Sequence, residues 1–551
     1  MNPVPAVDLR TIDEYVSAGW WGTDTLADVI ARNRAANADG VAFIDEHGDR
    51  MTWAGYDDLS DRIAAALLSL ALDRGDRVVI FLPDTPLVHA AFVGAEKAGL
   101  VIVGLGHRAG EAEIIHLVRK SGARAIVTPP QHRDEPTTTL VARLRESVPS
   151  LEHHVVLRGP STDADVAVVG GAASRARPAM LPTASIASRR LGPNALFLLN
   201  STSGTTGLPK CVMQFQNRWF YFHKKAVELG GLRSDDVFMS VVPAPFGFGL
   251  WTSHFTPAAL GATCVIMDHF TPLGMVQLIE REKVTVLGCV STQFIMMLNL
   301  AELADHNVSS LRIMFTGGEA IPEARAREFE ERTGSKVMNF YGSNETGTLS
   351  GTSIEDPTSR RLTTTGRVID EMQVRLYTPE GERIAGDIGR GVPACKGPAT
   401  TIGYYDDPEA NAKLFTDDGW MLMGDVVEID ADGWLSVVGR TSDFIIRGGK
   451  NISAPAVEDE VATHPSVSMV AVVPAPDPVF GERVAAYVEL HDGATLTLDD
   501  LRTHLTARGV SREWYPEHLF IVASLPRASG GKVAKGELKE DAAARMAAGS
   551  H

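Results

Sequence analysis

The feature that most restricts the fold of this chain is a regular alternation of short β-branched runs with longer helical patterns. Residues 76–82 have the composition of a buried strand, and residues 87–98 are typical of a helix. The alternation continues in the runs 101–105, 125–128, 236–242, 262–267 and 284–287. Strands that alternate with helices pair in parallel, because each crossover places a helix on one face of the sheet. The sequence therefore predicts an α/β fold of layered sheets and helices.

The pattern changes after Val374, where short strands alternate with turn signals. Turns at residues 379–381 and 431–433 predict a small antiparallel or β-barrel-like unit. The best boundary follows Arg440. It divides the chain into an N-terminal domain of residues 1–440 and a small α+β domain of residues 441–551. The small domain has its own strand and helix patterns, at 467–473, 483–490 and 498–508.

One stretch between these patterns allows two interpretations. Residues 159–192 are rich in Ala, Ser, Pro and Arg, which is typical of a linker. The apolar run 166–169 within the stretch equally predicts an ordered surface excursion. No internal repeat is evident.

Composition excludes several functional classes. Lys and Arg number 52 against 69 Asp and Glu, a net charge of −17 over 551 residues without a basic run, which argues against binding to nucleic acid or anionic lipid. The cysteines Cys211, Cys264, Cys289 and Cys395 are far apart, so neither a disulfide framework nor a zinc ribbon is expected. The N-terminus has no basic segment followed by an apolar one, and no long apolar span is free of charges. We expect a cytoplasmic protein without a membrane span.

The most informative segment is residues 201–210, which follows the apolar run 196–199. Small hydroxyl residues and glycines let backbone amides approach phosphate oxygens, and Lys210 adds a positive charge. The spacing of the glycines and the lysine does not match the P-loop of nucleotide kinases. Cys211 also stands where that loop has a metal-binding Ser or Thr. The alternative is a flexible turn. The candidate phosphate-binding residues are Thr202, Ser203, Gly204, Thr205, Thr206, Gly207 and Lys210.

Further motifs follow in order along the chain. They are YGSNET at 341–346, GWMLMGD at 419–425, GR at 439–440, RGGKNI at 447–452 and PRASGGK at 526–532. Together with residues 201–210, this ordered set resembles the signature of the adenylate-forming superfamily, which includes acyl-CoA synthetases, luciferases and peptide-synthetase adenylation domains. The resemblance extends over nearly the whole chain.

The resemblance implies a two-step reaction with ATP, Mg²⁺ and coenzyme A. A carboxylate attacks the α-phosphate, pyrophosphate leaves, and the acyl group then moves to a thiol. Glu345 offers a hard oxygen ligand that suits Mg²⁺. The resemblance also implies that Tyr341 stacks on adenine and that Thr346 donates a hydrogen bond to a phosphate. Asn344 departs from the usual Ser or Thr, so it receives no phosphate contact.

The remaining nucleotide and lid residues are also carried over from the resemblance. Asp425 suits both ribose hydroxyls, and Arg440 supports the same sugar. Lys532 is implied as the catalytic cation of adenylation. In the second step the mobile C-terminal domain rotates about residues 441–443, where Ser442 departs from the usual Asp or Lys. Gly448 and Gly449 then let backbone pass close to a pantetheine arm.

The implied acid pocket lies near residues 243–251, 291–295 and 316–320. Phe246 stands where many relatives carry a His or an aromatic gate. Phe248, Trp251 and Gly318 suggest an apolar cavity with aromatic walls, and core packing is an equal alternative. Gly247 replaces an asparagine that hydroxybenzoate-activating relatives use, which counts against that substrate. No acidic residue stands where peptide-synthetase domains bind an α-amino group. The resemblance places two further residues at the nucleotide, Gly318 and Glu319, and two at the acid, Gly317 and Gly342.

These observations predict an AMP-forming ligase for an aryl, alicyclic or medium-chain carboxylic acid and coenzyme A. No carrier sequence is fused here, which favours coenzyme A as the acceptor, and the nearest alternative is an enzyme that loads a separate carrier protein. A non-catalytic nucleotide-binding relative is a second alternative, and retention of Lys532, Glu345 and Asp425 weighs against it. The oligomeric state is left open.

Overall fold

The computed structural model describes residues 7–169, 173–174, 189–201, 209–318, 321–440, 444–447, 450–528 and 531–548. Two large sheets form most of the N-terminal part, as the alternation predicts. Both contain a parallel centre with antiparallel strands at the edges. Buried parallel strands require apolar residues on both faces, which explains the continuous β-branched runs in the sequence.

The eight-stranded sheet carries the strand that leads to the predicted phosphate loop. Five of its strands are parallel, and the last strand returns antiparallel to its neighbour. In spatial order its strands are Ala173–Ser174, Asp165–Val168, His153–Arg158, Ala125–Thr128, Arg77–Ile80, Val101–Gly104, Leu196–Ser201 and Cys211–Phe215. Asp165–Val168 pairs with His153–Arg158, so this part of the stretch 159–192 is an ordered strand.

The nine-stranded sheet carries the strands that lead to the predicted metal-binding and acid-binding motifs. Its central strands are parallel, with antiparallel pairs at both edges. In spatial order they are Arg367–Val368, Gly347–Gly351, Lys336–Ser343, Ile313–Gly317, Val286–Gly288, Val237–Ser240, Thr263–Ile266, Val41–Ile44 and Arg50–Thr52.

A fully buried helix, Pro86–Ala98, lies in the core that the two sheets share. Every residue of this helix is buried, including His89, Glu96 and Lys97. Lys97 is buried with ion pairs to Asp57 and Asp61, because a buried charge needs partners. The largest buried cluster contains residues of both sheets, such as Ile102 and Phe238, together with this helix. Gly94 allows close packing, because a Cβ there would lie 2.7 Å from Ile63.

A smaller antiparallel unit follows the two large sheets, as the turn signals predict. Its strands are Gln373–Tyr377, Gly389–Lys396, Met421–Leu422, Asp425–Ile429 and Leu435–Arg440. The turn at residues 431–433 joins the last two strands as an antiparallel hairpin. This unit supplies Asp425 at the start of a strand.

The C-terminal part has its own sheet and core, which confirms the expected α+β pattern. Its strands are Phe444–Arg447, Lys450–Ser453, Val467–Asp477, Gly481–Leu490 and His518–Ile521. A separate buried cluster includes Ile445, Val472 and Leu501. The division after Arg440 stays a prediction, and the expected hinge at 441–443 lies outside the described residues.

Helices cover the sheets and close the connections. The α-helices are Leu9–Ser17, Leu26–Ala36, Trp53–Leu68, Pro86–Ala98, Glu111–Ser121, Thr137–Ser147, Gln216–Gly230, Gly247–Gly249, Thr256–Leu260, Pro272–Glu282, Ser291–Leu298, Glu323–Thr333, Thr358–Arg361, Pro408–Leu414, Ala454–Val461, Leu498–Ala507 and Lys535–Ala547. Short 3₁₀ turns lie at Ser161–Asp163, Ala301–Asp305 and Arg512–Trp514, and a π-helix at Leu250–Phe255. The remaining strands, Gln131–His132 and Glu135–Pro136, pair with each other. Among the described residues, no helix combines the length and apolarity that a bilayer crossing needs.

Candidate active site

The strand Leu196–Ser201 and the returning strand Cys211–Phe215 bracket the predicted phosphate loop. The candidates Thr202, Ser203, Gly204, Thr205, Thr206 and Gly207 lie outside the described residues. Lys210 is described, and its Nζ lies 4.8 Å from the centre of the Tyr404 ring. Tyr404 also bonds Glu345 Oε1, so this contact connects the end of the loop, through Tyr404, to Glu345.

Glu345 lies in a tight turn between the antiparallel strands Lys336–Ser343 and Gly347–Gly351. Ser343 Oγ accepts hydrogen bonds from the backbone N–H groups of Glu345, at 3.2 Å, and Thr346, at 3.1 Å. The Thr346 side chain is buried, and its hydroxyl accepts from Ser343 N at 2.9 Å. The phosphate contact predicted for Thr346 stays a prediction.

The carboxylate of Glu345 is oriented by a tyrosine outside the sequence motifs. Tyr404 OH donates a hydrogen bond of 2.7 Å to Glu345 Oε1. Burial and the neighbouring Glu345 carboxylate both raise the pKa of Tyr404, so the hydroxyl keeps its proton and donates. Sequence reasoning missed Tyr404 because, unlike Glu345, it belongs to no recognisable motif.

A buried arginine lies beneath the same turn. Arg218 belongs to the helix Gln216–Gly230, and its Nη2 donates to the carbonyl oxygens of Asn344, at 3.1 Å, and Glu345, at 3.0 Å. Its Nε donates to Ala399 O at 2.6 Å. Burial lowers the pKa of Arg218 to about 9, which leaves it charged at neutral pH. The only sequence signal is the polar run at 216–218, directly after a buried strand.

Two residues predicted for the nucleotide are brought together. Tyr341 OH donates to Asp425 Oδ2 at 2.8 Å, although the residues are far apart in sequence. Asp425 begins its strand directly opposite Arg440 on the antiparallel partner strand. The two residues expected to bind the ribose are therefore cross-strand neighbours. The Tyr341 side chain is largely buried, and its stacking on adenine stays a prediction.

Lys532 reaches the N-terminal part of the chain. Its Nζ donates to Gly318 O at 2.7 Å, directly after the strand Ile313–Gly317. Gly318 has a φ of +82°, and a Cβ there would lie 2.6 Å from Lys532 Nζ. The positive φ favours glycine at this position, and a Cβ there would also displace the end of the lysine side chain. Glu319, Gly448 and Gly449 lie outside the described residues.

The predicted acid-pocket residues fall on a short helix that continues as a π-helix. Phe248 and Trp251 contact edge to face with ring centres 5.5 Å apart. Trp251 is fully buried among aromatic side chains, whereas Phe246 and Phe248 are partly exposed. Trp251 is therefore a core residue, which is one of the two alternatives that the sequence allowed. Its role as a pocket wall stays a prediction. The π-helix Leu250–Phe255 has no signal in the sequence, although such insertions are frequent at functional sites.

Asn344 lies against Gly247, which belongs to the segment predicted to line the acid pocket. A Cβ at position 247 would lie 2.3 Å from Asn344 Oδ1 and 3.1 Å from the Trp219 ring. Asn200 Nδ2 donates to Asn344 Oδ1 at 3.2 Å. The Asn344 amide therefore occupies the space that a side chain at position 247 would fill. Gly317 ends one neighbouring strand, and Gly342 lies in the next.

The donor groups fit Mg²⁺ better than a metal held by protein alone. Within the described part of the chain, no three His, Cys, Asp or Glu side chains form a metal cluster. Mg²⁺ usually binds one or two carboxylates, with substrate phosphates and water completing its shell. Glu345, with one oxygen fixed by Tyr404, would hold the ion in this manner.

The chain matches known proteins over almost its whole length. The family described as AMP-binding enzyme matches residues 30–405, and the AMP-binding enzyme C-terminal domain matches residues 456–532. The medium-chain fatty-acid–CoA ligase of Escherichia coli strain K12 is 30% identical over 537 residues, 97% of this chain and 93% of that protein. A salicylyl-CoA synthase / salicylate adenylyltransferase of Streptomyces is 31% identical over 540 residues, 96% of this chain and 95% of that protein.

A solved structure supports the same grouping at the level of fold. The crystal structure of the anthranilate CoA ligase AuaEII in complex with anthranoyl-AMP has a TM-score of 0.83 at 23% identity and covers 95% of this chain and 98% of that chain. The chain belongs to the AMP-binding enzymes of the adenylate-forming superfamily. The predicted superfamily, fold class and enzymatic nature are thereby confirmed. The roles of individual site residues stay predictions.

Proposed function

We propose that the protein is an ATP- and Mg²⁺-dependent carboxylic acid:CoA ligase that forms an acyl-adenylate and then a thioester. The observation that carries the proposal is the contact between Lys532 Nζ and Gly318 O. It brings a cation from the C-terminal part to the carboxyl end of the strand Ile313–Gly317, beside the strand that leads to the Glu345 turn. Asp425 belongs to the antiparallel unit and accepts a hydrogen bond from Tyr341 of the same large sheet. A cleft with these groups suits a reaction between two anions.

In the first step, a carboxylate oxygen of the acid attacks the α-phosphorus of ATP. The new bond joins that oxygen to phosphorus, and the bond to the pyrophosphate oxygen breaks. Lys532 offsets the negative charge that the two reactants share, while Asp425 holds the ribose and fixes the line of attack. Bound Mg²⁺ supplies further neutralisation of phosphate charge, and Glu345 would hold it.

In the second step, a thiol sulfur attacks the acyl carbon and AMP leaves. Lys532 stands at Gly318 in this conformation, so the C-terminal part must move before a thiol can approach from that side. The segment with Gly448 and Gly449 would then border the thiol arm. Motions of this kind gate many enzymes and separate successive half-reactions.

The acid is an aryl, alicyclic or medium-chain carboxylate. The supporting observation is the aromatic group around Gly247, which includes Trp219, Phe248 and Trp251. Apolar and aromatic walls bury a ring or an alkyl chain without leaving polar groups unpaired. The first relative named above acts on medium-chain fatty acids and the second on salicylate, which spans the same range of acids.

The thiol acceptor is coenzyme A rather than a carrier protein. Both acceptors present the same pantetheine arm, so the choice needs a direct test. The purified protein is incubated with ATP, Mg²⁺ and a panel of acids, with and without coenzyme A, while AMP, pyrophosphate and thioester are measured. We expect AMP and a thioester of coenzyme A. Production of ADP would contradict the adenylation scheme, and turnover that coenzyme A does not accelerate would favour the carrier protein.

The division of labour is tested by Lys532→Ala. We expect this change to nearly abolish adenylate formation and to leave thioester formation from supplied acyl-AMP largely intact. Lys535→Ala is the matched control, because Lys535 belongs to the same segment but pairs with Glu458 at 2.6 Å. Equal loss of both half-reactions in the Lys532 variant would count against the assignment.

A further inference from the structure

Arg218 is an unusual side chain because its buried charge is surrounded by neutral oxygens. The residue is only 2% exposed. Its hydrogen bonds go to the backbone carbonyls of Asn344, Glu345 and Ala399 and to the side-chain oxygen of Gln214. Burying a charge is costly unless its donors are satisfied. The arrangement satisfies the donors but leaves a net positive charge within the protein.

A second buried arginine shows the more usual solution. Arg361 is 3% exposed, and its guanidinium forms an ion pair with the carboxylate of Glu330. Neutralisation by a carboxylate lowers the cost of burial, and it makes Arg361 a purely structural group. Arg218 instead directs its charge at the turn that presents Glu345.

The geometry of the Arg218 contacts fixes the backbone of that turn. One nitrogen, Nη2, bonds two consecutive carbonyls, those of Asn344 and Glu345, and Nε bonds Ala399 O on the adjoining loop. Gln214 Nε2 adds a bond to Asn344 O at 3.2 Å. A planar guanidinium can hold three carbonyls in fixed positions, which an ammonium group cannot do.

We propose that Arg218 is a positioning residue for the metal-binding turn, holding the Glu345 backbone so that its carboxylate can bind Mg²⁺ with the ATP phosphates. The inference rests on the proposed function. Tyr404 fixes the carboxylate from one side and Arg218 fixes the backbone from the other. Arg218 acts through the backbone of Glu345, because its donors bond the carbonyls of Asn344, Glu345 and Ala399 and the side chain of Gln214.

The two half-reactions provide a test, because only adenylation needs the metal–nucleotide complex. In Arg218→Gln, we expect the Mg²⁺ concentration for half-maximal adenylation to rise about 10- to 100-fold, the range typical of lost outer-shell support. Thioester formation from supplied acyl-AMP should be little changed. In Arg218→Lys, which keeps the charge but reaches fewer carbonyls, we expect an intermediate Mg²⁺ requirement.

A binding measurement gives a readout that is independent of turnover. Mn²⁺ affinity is followed by electron paramagnetic resonance in the presence of α,β-methylene-ATP. We expect weaker Mn²⁺ binding in Arg218→Gln and partial recovery in Arg218→Lys. Arg361→Gln is the matched control for the loss of a buried guanidinium, and we expect no selective change in Mn²⁺ affinity there.

The outcomes separate this inference from the proposed function. Equal slowing of both half-reactions in Arg218→Gln, or unchanged Mn²⁺ affinity, would overturn the positioning role while wild-type adenylation stands. A wild-type protein that releases no pyrophosphate with any acid would overturn the proposed function itself. Arg218→Lys keeps the test decisive if Arg218→Gln does not fold.

Discussion

Single side chains whose contacts the sequence does not indicate complete the candidate site. Tyr404 donates to Glu345 Oε1, and Asn344 fills the space beside Gly247. Tyr404 lies outside the motifs, and Asn344 belongs to the motif at 341–346 but departs from its usual residue, so the motif predicts no contact for it. Each becomes visible only when strands that are distant along the chain are brought side by side. The sequence singles out Glu345, Asp425 and Lys532, because their motifs combine small residues with a charge, and their chemical roles stay predictions.

Tyr404→Phe tests whether the tyrosine hydroxyl orients the metal ligand. Loss of the 2.7 Å hydrogen bond to Glu345 Oε1 leaves the carboxylate free to rotate. We expect the Mg²⁺ concentration for half-maximal pyrophosphate release to rise about 10-fold or more, as for other lost second-shell partners. Tyr405→Phe, which removes the neighbouring hydroxyl, is the control and should leave this concentration unchanged. An unaltered Mg²⁺ requirement in Tyr404→Phe would show that the hydroxyl does not orient the metal ligand.

Gly247→Ala tests whether the close contact between Gly247 and Asn344 matters for binding of the acid. The new Cβ would lie 2.3 Å from Asn344 Oδ1, so the amide must move. We expect a raised KM for the acid, with the KM for ATP much less affected. The double change Gly247→Ala with Asn344→Ala should recover much of the loss, because it removes the clashing group. If the double variant is as impaired as Gly247→Ala alone, the clash with Asn344 is not the cause.

At the scale of elements, the alternating pattern predicted strands and helices well. The structure confirms strands at Arg77–Ile80 and Ala125–Thr128 and the helix Pro86–Ala98 close to the predicted positions. Those elements are specified by local composition. The π-helix Leu250–Phe255 was not predicted, since its extra residue is accommodated by packing against other elements. The same holds for contacts between loops of different sheets, such as that of Asp84 with Ala244.

The contact between Asp84 and Ala244 joins the loop after one strand to the start of the acid-pocket segment. Asp84 Oδ1 accepts from Ala244 N at 3.1 Å. Burial raises the pKa of Asp84 to about 7, with a smaller contribution from Asp268. The unfolded chain loses this proton near pH 4, so the folded state binds the proton more tightly. Asp84 therefore stabilises the fold at low pH and loses this contribution as the pH rises through about 7.

Asp84→Asn should remove this pH dependence while keeping the acceptor for Ala244 N. We expect an apparent Tm close to that of wild type near about pH 4, where the unfolded chain still holds much of its proton, and higher than wild type by a few degrees near about pH 8.5. Thermal unfolding at a series of pH values measures the difference. Asp134→Asn, a change at an exposed loop position, should show no such trend. A Tm difference that is the same at every pH would refute the role of the carboxyl charge.

At the scale of the whole molecule, the C-terminal part meets the N-terminal part through more than Lys532. Asn299 Nδ2, just after the helix Ser291–Leu298, donates to Ser468 Oγ at 2.8 Å and to Ser468 O at 3.3 Å. Arg325 donates to Asn299 Oδ1. The sequence motifs predicted that a lysine enters the cleft. They could not predict this second contact, which depends on how the C-terminal part lies against the N-terminal part.

The Asn299–Ser468 contact should favour the conformation in which Lys532 is inserted. A neutral hydrogen bond contributes about 1 kcal/mol, which is roughly a fivefold change in a conformational equilibrium. In Ser468→Ala we expect adenylation to slow by up to this factor, because the inserted state is less populated. Thioester formation from supplied acyl-AMP should be unchanged or faster, since it needs Lys532 withdrawn. Single-turnover measurements of each half-reaction separate these effects. Ser466→Ala on the same segment is the control, and slowing of both steps in Ser468→Ala would show that the contact does not discriminate between the two conformations.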